Sequence, residues 1–86
     1  MYILIVYDIK TENLMKVHKL LRMYLTWIQN SVFEGEISKS QYNIIKTKIH
    51  ELIDPEIDSV IIYEIPEKYL KKEVIGIEKN SIDFIL

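Results

Sequence analysis

The stretch that decides the fold opens the chain: Tyr2-Ile3-Leu4-Ile5-Val6-Tyr7-Asp8. Six apolar or aromatic residues rich in Ile and Val, without Gly or Pro, read as a buried strand rather than a half-exposed one. Asp8 falls where the chain must leave the sheet. A second run of this kind, Ser59-Val60-Ile61-Ile62-Tyr63-Glu64-Ile65, is closed by Pro66.

Two helical patterns lie between them. Leu14, Val17, Leu21 and Tyr24 recur at spacings of three and four and predict an amphipathic helix from an N-cap at Thr11 to about Leu25. Lys16, Lys19 and Arg22 place a basic ridge beside that stripe. Ser38 and Gln41 form a capping box ahead of Tyr42, Ile45, Ile49, Leu52 and Ile53, and Pro55 stops this second helix. Thr26 to Phe33 is strand-like, and Gly35 predicts a bulge or a tight connection between two strands. Beyond Pro66, Tyr69 to Lys72 reads as a basic connector, Val74 to Ile77 as a short strand, and Ile82 to Leu86 as another apolar segment.

The order β-α-β-β-α-β predicts one α+β domain over 1-86, a ferredoxin-like antiparallel sheet with two helices on one face and short C-terminal strands. The two doubly apolar runs are expected as neighbours at its centre. If Ile3, Ile5 and Tyr7 meet the helices, Tyr2, Leu4, Val6 and Asp8 face the other way. Val60 and Ile62, or Ile61 and Tyr63, join them there. An apolar patch of that size calls for cover, either by the C-terminal strands or by a second copy. A two-fold homodimer with sheets face to face is expected, the tail at 74-86 taking part in dimerisation.

The 86 residues carry 13 acidic and 11 basic side chains, a formal charge of -2, so no overall positive field draws in nucleic acid. Any such binding needs a local basic patch, with Lys10, Lys16, Lys19, Arg22, Lys71 and Lys72 as candidates. There is no cysteine, which excludes disulfides and thiolate metal sites. No apolar run is long enough for a membrane span, and a strand begins directly after Met1, so a cytoplasmic protein without a signal peptide or membrane contact is expected. His18 and His50 lack ligand spacing, and Trp27 is expected to pack. Glu34 and Glu36 around Gly35 read as a solvated turn rather than an acid-base pair. From the residues alone, Asp8 either caps the turn into the first helix or binds a metal. Two Asp8 side chains across a dyad would make a shared, partly hydrated magnesium position, since Mg²⁺ wants about six oxygens and usually takes one or two carboxylates.

Tyr7-Asp8-Ile9, Ser31-Val32-Phe33-Glu34-Gly35-Glu36-Ile37 and Leu52-Ile53-Asp54-Pro55 before Asp58-Ser59-Val60 resemble the small CRISPR-associated adaptation proteins of the Cas-two family, across essentially the whole chain. The resemblance implies a ferredoxin-like homodimer whose tail strands reach the partner. Such dimers bridge pairs of the Cas-one integrase and hold duplex DNA for insertion into the CRISPR array. It also implies a magnesium-dependent endonuclease acting on RNA or DNA, with Asp8 as metal ligand and Tyr7 and Phe33 at the same site. The sequence departs from the family at Met15, Val17 and Trp27, where many relatives carry arginines, and this weighs against a nuclease. A toxin-like ribonuclease of the virulence-associated family, with the same fold and strand-end aspartate, is the alternative.

Overall fold

A computed structural model describes residues 1–80. The elements follow the expected order: β1 (Tyr2–Asp8), α1 (Leu14–Arg22), β2 (Thr26–Gln29), β3 (Val32–Glu36), α2 (Lys39–Leu52), β4 (Ser59–Ile65) and a 3-10 turn at Glu67–Tyr69. The four strands form one antiparallel sheet in the order β2-β3-β1-β4.

The alternation in β1 divides the molecule. Ile3 and Ile5 are fully buried and Tyr7 nearly so. They meet Phe33 of β3, Val17, Leu20 and Leu21 of α1, and Ile45 and Ile49 of α2 in one core. A fully buried Ile, Leu or Phe contributes about 1.5–3 kcal/mol relative to exposure, so this single layer carries most of the stability of so small a domain. Leu14, expected in the α1 stripe, is instead exposed, while Leu20 takes a core position. On the other face Tyr2, Leu4 and Val6 are half-buried, and Ile61 and Tyr63 of β4 are 47% and 52% exposed. The register pairs Leu4 with Tyr63 and Val6 with Ile61, so these side chains form one apolar surface.

Several expectations are corrected. β1 and β4 are neighbours, from Tyr2↔Ile65 to Asp8↔Ser59, but the central pair is β1 and β3, and β4 is an edge strand. The β2–β3 hairpin takes one flank of β1 and leaves β4 the other. The connection between β2 and β3 falls at Asn30-Ser31, not Gly35. Asn30 adopts φ 47°, a left-handed conformation that Asn tolerates better than most residues. Gly35 sits within β3 on the helix-facing side, where a Cβ would stand 3.1 Å from Leu25 Cδ2. Glu34 and Glu36 are therefore strand residues, and Glu34 is buried rather than solvated.

Thr11 does not cap α1. Asn13 holds the N-cap position, and the Thr11 hydroxyl instead donates to the Asp58 carboxylate at 2.7 Å. The helix closes at Arg22 because Met23 and Tyr24 donate to the carbonyls three residues back. The Ser38–Gln41 capping box forms as expected. Val74 to Ile77 is not a strand: among the described residues it pairs with no sheet edge. The apolar segment Ile82 to Leu86 lies outside the described residues.

Candidate functional site

One end of the sheet gathers the chemistry-bearing residues. β1 ends there at Asp8 and β4 begins there at Ser59, its register partner. The β2–β3 turn closes over the same end through Tyr7 N–H donating to Ser31 O at 3.1 Å. Because strand side chains alternate, Tyr7 and Asp8 point to opposite faces. Tyr7 lies under the helices and Asp8 is exposed on the other side.

Tyr7 and Phe33 are stacked at 6.2 Å between ring centroids. His18 meets Phe33 edge-on at 5.1 Å, and its Nδ1 lies 2.8 Å from the Tyr7 hydroxyl. Burial pushes the Tyr7 hydroxyl above its usual range, opposed by the Ser31 side chain. Burial lowers the pKa of His18, and the positive charge of Arg22 lowers it further. A neutral imidazole bonded to a neutral phenol is the stable pairing. His18, half-buried at the boundary of the core, is part of a Tyr7–His18–Phe33 cluster. The cue available in the sequence was its place next to Val17 on the inward side of α1, below an inward-facing tyrosine.

Asp58 was missed as a structural centre. Its Oδ1 accepts from the backbone N–H of Lys10 (2.8 Å) and Thr11 (3.3 Å), and its Oδ2 from Thr11 Oγ1 (2.7 Å) and Asp54 N–H (2.9 Å). These bonds tie the loop after β1 to the loop before β4 and so fix the end at which Asp8 and Lys10 stand. Burial disfavours the Asp58 carboxylate, but the donors from Asp54, Thr11 and Lys10 prevail and hold its pKa below the ordinary 3.8. Its stabilising contribution is therefore present above pH 3.8 and lost as the pH falls through the lower folded value. Asp58→Asn should flatten that acid limb in pH-dependent thermal melts and lower Tm at neutral pH by about 10 °C. A melting curve unchanged at both pH values would contradict this.

The Asp8 side chain makes no hydrogen bond or ion pair among the described residues. No cluster of three or more His, Cys, Asp or Glu that could hold a metal occurs among them either. Asp58 is no second ligand, because both its oxygens are engaged. At this end of the sheet the Asp8 side chain is an exposed carboxylate with no partner among the described residues, and a magnesium ion takes one or two carboxylates with waters and phosphates completing its shell.

Lys10, Lys16, Lys19 and Arg22 are exposed, and none is in an ion pair among the described residues. Their three-residue spacing from Lys16 to Arg22 makes a ridge along α1. Lys71 is exposed on the tail, whereas Lys72 is engaged by Glu34 and Glu78. Of the positions where arginines were expected, Val17 is fully buried, Trp27 packs against the core and Met15 is exposed. Among the described residues no helix is long and apolar enough to cross a membrane.

Fold and site together define a small ferredoxin-like protein with a free strand-end aspartate and a basic helix ridge. The family model for CRISPR-associated protein Cas2 matches residues 1–73, and the chain belongs to that family. The CRISPR-associated endoribonuclease Cas2 of Thermococcus kodakarensis is 49% identical over 86 residues, spanning both chains fully. The protein of the same name from Methanocaldococcus jannaschii is 47% identical over 87 residues, with all of this chain and 76% of that one covered. A crystal structure described as cas2 superposes with a TM-score of 0.81 at 46% identity, covering 92% of this chain and 90% of that one. Streptococcus pyogenes Cas2 superposes at 0.77 with 31% identity, covering 88% and 100%.

Proposed function

We propose that this chain acts as a homodimeric CRISPR adaptation protein that holds duplex DNA by its phosphates and bridges the Cas-one integrase. The observation that carries this reading is the α1 ridge, whose cations are exposed and in no ion pair among the described residues. Lysines suit this task because they are compact point charges that hold a backbone without reading bases. The half-covered apolar face of Tyr2, Leu4, Val6, Ile61 and Tyr63 supports a second copy packed sheet to sheet, which doubles the ridge. With about four phosphates neutralised, duplex affinity should fall roughly 100-fold between 50 and 200 mM salt. Lys16→Ala should lower the slope of log affinity against log salt by about one for each copy engaged. An affinity indifferent to salt, in fluorescence anisotropy with a short duplex, would remove the phosphate-holding role. A reconstituted integration assay with the integrase tests the bridging role directly.

A second reading is metal-dependent phosphodiester cleavage of RNA or DNA. It is favoured by the endoribonuclease name of the relatives and by Asp8 standing free at the end of β1. Asp8 of each protomer would be the protein's ligand to a shared magnesium ion. Bound there, the ion would polarise a phosphate and lower the pKa of a water. The protein's own part is to present the two carboxylates, on a strand end that Asp58 and the buried Tyr7–Phe33 pair keep rigid.

A further inference from the structure

The inner end of the Tyr7–His18 hydrogen bond sets what the imidazole offers at its outer end. Tyr7 is only 5% exposed, and its phenol proton has one acceptor among the described residues, His18 Nδ1 at 2.8 Å. The Ser31 side chain hydrogen-bonds the same phenol and favours its oxygen as an acceptor, which leaves the phenol proton for Nδ1. A neutral imidazole that accepts at Nδ1 carries its hydrogen at Nε2. Nε2 has no hydrogen-bond partner among the described residues, and no buried side-chain nitrogen or oxygen among them lacks one. Nε2 therefore reaches solvent, as a donor aimed by the phenol behind it.

Arg22 stands beside that donor. It follows His18 by four residues, one helical turn, so the two side chains are neighbours on the surface of α1. Arg22 is exposed and in no ion pair among the described residues. The groups facing the ring are the Tyr7 hydroxyl of β1, the Phe33 ring of β3 edge-on at 5.1 Å, and the Arg22 charge of its own helix. Among the described residues no carboxylate pairs with His18 or Arg22. A surface that offers an oriented N–H and a guanidinium, with no acid between them, suits an anion with acceptor oxygens.

We propose that His18 and Arg22 form a phosphodiester-binding subsite, in which the Tyr7 hydroxyl orients the imidazole so that its Nε2–H and the guanidinium hold one phosphate of a DNA duplex. The inference rests on the phosphate-holding reading above and adds to it a member that is neutral in the free protein. Lys16 and Lys19 are point charges on flexible stems, whereas the imidazole is held by Tyr7 and Phe33 and loses little freedom on binding. Burial first, and then the charge of Arg22, keep the His18 pKa below its ordinary 6.5. A phosphate on the pair offsets the Arg22 charge and favours the imidazolium. The proton taken up goes to Nδ1, and the phenol oxygen then accepts from it.

The test follows the His18 ring by NMR and duplex DNA affinity by fluorescence anisotropy in low salt at pH 7, with the full chain. In the free protein, ring nitrogen shifts should place the hydrogen at Nε2. A short duplex should carry the His18 pKa from below 6.5 to above it. His18→Asn, whose amide reaches only the place of Nδ1, and Arg22→Gln should each weaken duplex binding about five- to tenfold. His18→Gln, whose amide reaches the place of Nε2, should stay within about twofold of wild type. A His18 pKa unmoved by a duplex that does bind overturns the subsite, as does an asparagine variant that binds like wild type. Hydrogen found at Nδ1 in the free protein overturns the orienting role of Tyr7. A wild-type chain that binds no duplex defeats the phosphate-holding reading itself. Inorganic phosphate titrated against the ring then judges the subsite, which stands if the His18 pKa rises and falls if it does not.

Discussion

Asp8→Asn is expected to lower magnesium-stimulated cleavage of RNA or duplex DNA at least about 100-fold, while duplex binding and integration with the partner integrase continue. The substitution keeps the shape of the side chain and removes its charge. In a two-copy site it removes both carboxylates at once, and a loss of that size corresponds to about 2.7 kcal/mol of transition-state stabilisation. Folding should hardly notice, because the Asp8 side chain is exposed and makes no hydrogen bond among the described residues. Substitutions at such positions stay within about 0.5 kcal/mol. Duplex affinity should hold or rise slightly at low salt, since two negative charges leave the neighbourhood of the lysines. Cleavage that persists in the variant would place the chemistry at another residue or in a contaminant. Loss of duplex binding would instead place Asp8 within the phosphate-holding surface.

The largest effect on stability is expected from Phe33→Ala. Phe33 is fully buried at the centre of the helix-facing layer, stacked on Tyr7 and met edge-on by His18. Truncating a buried phenylalanine costs about 3–5 kcal/mol through lost transfer energy and the cavity left behind. A domain of this size has about 5–10 kcal/mol in total, so Tm should fall by roughly 20 °C. Phe33→Leu, which keeps more of the volume, should cost about 1–2 kcal/mol. In the alanine variant the His18 pKa, followed by NMR, should rise towards its ordinary 6.5, because burial is the largest cause of its depression. The sign for stability follows. In the wild type the unfolded chain takes up the His18 proton first, so this residue's contribution falls as pH drops through 6.5 and levels off below the folded value. A Tm within 5 °C of wild type for Phe33→Ala would show that the core does not depend on this ring.

Much of the fold was legible because its signals are local and periodic. The β1 alternation, the α2 stripe and the Ser38–Gln41 box each lie within one element, and the inward set of Ile3, Ile5 and Tyr7 is the buried set found. The errors arose where a long-range partner changed a residue's business. Thr11 reads as a helix cap until Asp58, 47 residues away, takes its hydroxyl. Glu34 reads as a turn acid until Lys72 covers it. Gly35 attracted the hairpin turn because glycine is the commoner left-handed residue, yet Asn30 took that role and Gly35 accommodates the close approach of Leu25.

The candidate site divides in the same way. Its exposed members, Asp8 at a strand end and the lysines beside a helix stripe, could be named from the chain because strand termination and helical spacing place them. Its supports could not. The Tyr7–His18 hydrogen bond, the four donors around Asp58 and the Lys72–Glu34 pair all join segments far apart in sequence. By itself the sequence determined which residues of β1 face the helices, where β1, both helices and β4 start and stop to within a few residues, and that a second apolar face exists, but not where the β2–β3 turn falls. Only the tertiary structure decided that β3 rather than β4 shares the centre with β1, and which acids are free and which are bound. The physical reason is that periodicity records the side on which a residue is buried, whereas a polar side chain's role depends on the partner that the folded chain brings to it.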